Sequence, residues 1–99
     1  MNVDTTVLLT LHSPREKVWG RLLDLTAAGV TVRGIDLNGF EDWLKQWGSE
    51  DQGGLTTLFF PLHRVEKMEL DESSGGIPSL EERFTQRIGM TLKEYLQRP

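Results

Sequence analysis

Five short runs of β-forming residues crowd into positions 7–70 of a 99-residue chain, and that close spacing favours a small antiparallel barrel over an open sheet. Val7, Leu9 and Leu11 alternate with Leu8, Thr10 and His12, the period of two expected of a strand with one apolar face. Ser13-Pro14-Arg15-Glu16 reads as a turn, because proline presets the backbone angle needed at the second turn position. The second strand runs from Lys17 to Thr26 and holds Gly20, which in a strand marks a sharp bend or the close approach of another backbone. Trp19, Leu23 and Leu25 share one parity there and are expected together in the barrel core.

Ala27-Ala28-Gly29 closes a hairpin in which Gly29 is expected to take a positive φ. The third strand, Val30 to Leu37, starts with Val30 and Val32 on one face and ends with Ile35 and Leu37 on the other, so a bulge is expected at Gly34. A helix over residues 39–47 follows, with Asn38 as its cap, Glu41 three residues on and Gly48 as its stop. Phe40, Trp43, Leu44 and Trp47 form its apolar stripe. After a polar loop come the fourth strand, Leu55 to Phe60, stopped near Pro61, and the fifth, Arg64 to Leu70. Residues 1–72 thus read as one mainly β domain with an inserted helix. Residues 73–99 read as a tail, joined to that domain through Glu72-Ser73-Ser74-Gly75-Gly76, which has the composition of a flexible linker. Ser79 with Glu82 and Thr91 with Glu94 make two capping boxes, predicting two short helices that pack on the barrel or on a partner.

Composition narrows the chemistry. The chain has no cysteine, which removes disulfides, thiolate metal sites and cysteine nucleophiles, and its formal charge of −4 argues against a general grip on phosphate backbones. The N-terminal run has an acidic residue where a secretion signal needs positive charge, no apolar segment is long enough to span a membrane, and a cytoplasmic location is expected. His12 and His63 could meet at strand ends, but no spacing signals a third metal ligand. Asp36, Glu41 and Asp42 are better read as charge favouring a helix N-terminus than as a cation site. With no nucleotide loop, nucleophile elbow or metal-ligand motif, the expectation is a non-enzymatic protein with no catalytic residues, no metal and no cofactor.

Val18-Trp19-Gly20-Arg21-Leu22-Leu23-Asp24-Leu25 resembles the first motif of Sm-like proteins, in which a hydrophobic residue, a glycine and a leucine recur along a strongly bent second strand. Phe60-Pro61-Leu62-His63-Arg64-Val65 is similar in position to that family's second motif. Over residues 7–70 the resemblance implies a five-stranded SH3/Sm-like barrel whose edge strands pair between neighbours in a ring. It also departs from the family. Thr26-Ala27-Ala28-Gly29 stands where the RNA binders carry an aspartate and an asparagine, and Pro61-Leu62 precedes the His63-Arg64 pair.

Two functional readings follow. The first is a module that assembles with itself through barrel edges, with Leu55, Leu58, Phe60, Trp43 and Trp47 as candidate interface residues, since Leu55–Phe60 carries no charge to guard an edge. The alternative is binding of RNA or single-stranded nucleic acid, with Arg33, His63 and Arg64 as the contacts. A small enzyme of unassigned class comes third.

Overall fold

A computed structural model describes residues 1–47 and 54–97. The strands are β1 (Thr6–Leu11), β2 (Glu16–Leu25), β3 (Gly29–Asp36), β4 (Thr56–Pro61) and β5 (Val65–Leu70). Helix α1 (Leu37–Lys45) lies between β3 and β4, a single 3-10 turn (Leu62–Arg64) joins β4 to β5, and α2 (Leu80–Ile88) and α3 (Leu92–Leu96) close the described chain. All five strands belong to one antiparallel sheet in the order β4-β3-β2-β1-β5. β4 and β5 are its two end strands and do not pair with each other, so strand pairing does not close the sheet.

Each face of the sheet holds its own core. Val7, Leu9, Leu11, Val18, Leu22, Val30 and Val32 form one buried cluster, and Leu58 and Phe60 of β4 and Val65 and Met68 of β5 pack against it. Strands from both ends of the sheet therefore meet one core, which requires strong curvature. The tightest approach is at Gly20 and Gly34, which pair across β2 and β3. A Cβ on Gly20 would lie 2.5 Å from the Arg33 carbonyl oxygen and 2.6 Å from the Gly34 Cα, so both positions exclude a side chain.

The other face is covered by the helices. Trp19, Phe40, Trp43, Leu44, Leu55, Phe84 and Leu92 are buried together there. Trp19 sits at the centre, its ring 5.0 Å from Phe40 and 5.9 Å from Phe84. It is thus a core residue of the layer between sheet and helices rather than of the inner cluster. Leu23 and Leu25 do not join it and stay 36% and 48% exposed. The reason is a register shift between Leu22 and Asp24, which makes Leu23 an extra residue and sets Leu25 opposite Val30.

Four local expectations change. No bulge occurs at Gly34, because unbroken alternation already puts Val30 and Val32 on one face and Ile35 on the other; the irregularity sits in β2. Gly29 has no positive φ, and the ring of Phe59 occupies the space a Cβ would fill, 2.7 Å from that position. Helix α1 begins before Asn38, since the Asp36 carboxylate accepts from the Asn38 amide at 2.8 Å and serves as the cap. Glu41 therefore lies beyond the first turn and pairs with Arg83 of α2. The helix ends at Lys45, and Gly48, the expected stop, lies outside the described residues. Gly75 (φ 57°) and Gly76 (φ 85°) form a tight turn bridged by Ser74 and Ile77, so the glycine pair acts as a turn where composition suggested a flexible linker. Both capping boxes of the tail form as expected.

Candidate functional site

Backbone hydrogen bonds determine which groups the end strands leave open. The Thr26 amide donates to the Gly29 carbonyl, and the Leu62 amide donates to the Ala28 carbonyl. Gly29 therefore turns its backbone towards β2 and Ala28 towards β4. Because successive residues of an antiparallel strand face opposite edges, Val30, Val32 and Gly34 bond to β4 through their partners Phe60, Leu58 and Thr56. Thr57, Phe59 and Pro61 consequently direct their backbone groups to the outer edge of β4, where no described strand pairs with them. Pro61 contributes only its carbonyl.

The edge of β5 follows from the same rule. The Asp71 amide donates to the Thr6 carbonyl, so Lys67, Glu69 and Asp71 face β1 while Met68 and Leu70 face outwards. The two edges differ in charge. β5 exposes Glu66, Lys67 and Glu69, with Lys67 and Glu69 3.5 Å apart, whereas Thr56–Pro61 has no ionisable side chain. Charged side chains guard a strand edge, and β4 has none. It does have Phe59, 55% exposed on the face that bears Thr31, its β3 partner.

The candidate interface residues are dispersed between the two cores. Leu55 and Trp43 are buried beneath the helices and Trp47 packs against the same cluster, while Leu58 and Phe60 pack on the inner one. The exposed aromatic side chain of β4 is Phe59, which the sequence did not single out. Leu58, Phe59 and Phe60 are all apolar, so periodicity cannot separate the inward residues from the outward one. Only the register with β3 does so. Helices α1, α2 and α3 cover the sheet's outer face at Trp19, and among the described residues no strand pairs with the outer edge of β4.

The proposed nucleic-acid contacts are also separated. Arg33 lies on β3 opposite Arg21 and donates to the Thr57 hydroxyl at 3.2 Å. His63 is exposed on the 3-10 turn. Arg64 is occupied: its guanidinium donates to the Pro14 carbonyl and the Glu16 carboxylate at 2.8 Å each and to the His12 carbonyl at 3.2 Å, and it lies over the Phe60 ring. It ties the 3-10 turn to the β1–β2 turn.

A cleft of about 430 Å³ opens between the start of β1 and β2 and the C-terminal helices, with Thr6, Arg21, Asp71, Glu81 and Lys93 on its walls. Its polar groups largely serve one another. Thr6 donates to Glu81 at 2.7 Å, Arg21 pairs with Asp4 at 3.5 Å, and Asp71 accepts the indole hydrogen of Trp19 and the amides of Leu80 and Glu81. Among the described residues no group of three or more His, Asp and Glu side chains is placed to hold a metal ion. No described helix is long and apolar enough to cross a membrane. Comparison with known proteins finds no family model, no curated protein and no solved structure that matches this chain.

Proposed function

We propose that this protein is a non-enzymatic interaction module that assembles with itself through the free edges of its sheet. The observation that carries this reading is the outer edge of β4, a six-residue strand without charge that bears a half-exposed phenylalanine. An open edge of that kind is a template for another strand. We further propose that the sheet is a partly open barrel of the SH3/Sm-like kind, supported by the strand order β4-β3-β2-β1-β5, the 3-10 turn between β4 and β5 and the shared inner core. Light scattering at micromolar concentration, without nucleic acid, tests the assembly. A discrete mass of more than one chain is expected, and the mass of one chain at all concentrations would overturn the proposal.

Binding of RNA or single-stranded nucleic acid is the second reading, and it rests on Arg33 and His63, since Arg64 is spent on the fold. A mobility shift of a short oligonucleotide that weakens with salt would favour it over self-assembly.

A further inference from the structure

The outer edge of β4 is not a uniform surface, because only alternate residues open their backbone to it. We infer that β4 pairs antiparallel with β4 of a second copy about a two-fold axis at Phe59, an inference that rests on the self-assembly reading above. Opposed residues in an antiparallel ladder project on the same face, so inward Leu58 and Phe60 must meet inward residues and Thr57, Phe59 and Pro61 must meet their own kind. Centring the axis at Phe59 satisfies this. Phe59 then opposes Phe59 of the second copy, Leu58 opposes Phe60, and Thr57 opposes Pro61.

The bonding groups agree with that register. Phe59 faces the open edge, so the two Phe59 residues exchange a pair of amide-to-carbonyl bonds. Each Thr57 amide finds a Pro61 carbonyl, and the amide hydrogen that proline lacks is not required to bridge the strands. The half-exposed Phe59 rings come together on the outer face as a cross-strand aromatic pair. On the inner face, Leu58 and Phe60, which only partly join their own core, gain a second apolar neighbour each.

Charge selects β4 over β5 as the partner. A second copy's β5 would lay Glu66 and the Lys67–Glu69 pair along a strand that offers no counter-charge, whereas β4 against β4 brings no ionisable side chain of either strand into the contact. The pairing is isologous, so it closes at two chains and leaves the charged β5 edges at the two ends of a continuous ten-strand sheet, twice the five of one chain.

Proline placed at an outward-facing position removes an intermolecular donor while leaving the β3–β4 ladder intact. Phe59→Pro, Phe59→Lys and Met68→Pro are compared with the unaltered chain by light scattering over a concentration series, with circular dichroism to verify the fold. The unaltered protein is expected to have the mass of two chains. Both Phe59 variants are expected to keep the native spectrum and to weaken association by roughly a hundredfold, Phe59→Pro through loss of two intermolecular hydrogen bonds and Phe59→Lys through two like charges set directly opposite each other. Met68→Pro is expected to leave the dimer unchanged. Folded Phe59 variants that assemble as before overturn the two-fold pairing, and if a folded Met68→Pro then fails to assemble, the contact lies on β5 while self-assembly stands. A ring of more than two chains overturns it likewise. A single-chain mass for the unaltered protein overturns both.

Discussion

The indole Nε1 of Trp19 donates to the Asp71 carboxylate at 2.9 Å, joining the centre of β2 to the N-terminus of α2 across 52 residues of sequence. Asp71 also accepts from the Leu80 and Glu81 amides at 2.8 Å each, while Ser79 accepts from the Glu82 amide at 3.0 Å. One carboxylate thus satisfies the buried indole and two of the amides that open the helix. The placement of α2 over the sheet depends on a side chain outside the helix as much as on its own capping box.

The bond is expected to be measurable as a coupling. Asp71→Ala removes the acceptor for all three donors and is expected to lower stability by about 2–3 kcal/mol. Trp19→Phe removes one donor, and in a double-mutant cycle with Asp71→Ala the two changes are expected to be sub-additive by about 1 kcal/mol. Trp19→Ala, which also empties the space between Phe40 and Phe84, is expected to lose about 3–5 kcal/mol. Denaturant titrations check these values, and strict additivity in the cycle would show that the bond contributes nothing.

Two glycine positions are expected to respond with opposite signs. Gly20→Ala drives a methyl group into the Arg33 carbonyl and the Gly34 Cα, both backbone atoms that cannot rotate away, and is expected to destabilise by about 2 kcal/mol or more. Gly39 lies inside α1, where the added carbon meets no described atom within 4 Å beyond its chain neighbours and the helix's own backbone, so Gly39→Ala is expected to stabilise by about 0.5–1 kcal/mol. Thermal melts of the two variants beside the unaltered chain decide the matter.

Arg64 is expected to act on stability. Its ion pair with Glu16 is partly solvated, with side chains 21% and 35% exposed, so most of its value comes from the bonds to the Pro14 and His12 carbonyls. Arg64→Ala is expected to lower stability by about 1 kcal/mol, and Arg64→Lys to restore only part of this, because an ammonium group cannot reproduce the fork of donors. Oligonucleotide mobility measured on the same variants separates the roles. A loss of nucleic-acid binding with unchanged stability would return Arg64 to the surface contacts.

The local grammar of the chain was legible without the structure. Period-two alternation located Val7–Leu11, glycine in the second strand signalled the close approach to Gly34, and Ser79 and Thr91 with their following glutamates announced two helices that form as expected. These features depend on residues within a few positions of each other, so sequence suffices to read them. Where two local answers competed, tertiary contacts chose. Asn38 was the expected helix cap, and the end of β3 brings the Asp36 carboxylate to the open amide instead. The glycine pair before Ile77 has the composition of a linker, and the Ser74–Ile77 bridge makes it a turn.

Which residues line the open edge of β4 depended on tertiary structure altogether. Periodicity says which residues share a face, but not which face turns to the inner core; Trp19 was expected there, and the helices settle on its side instead and leave Val18 to the inner cluster. An extra residue at Leu23 then reverses the parity downstream, which no local count detects. For Leu58, Phe59 and Phe60 the ambiguity is complete, since all three are apolar and any could face either way. The sequence by itself determined that β4 carries no charge; its pairing with β3 decided that Phe59 opens to the edge, because backbone direction and side-chain face are both set by register with a neighbouring strand.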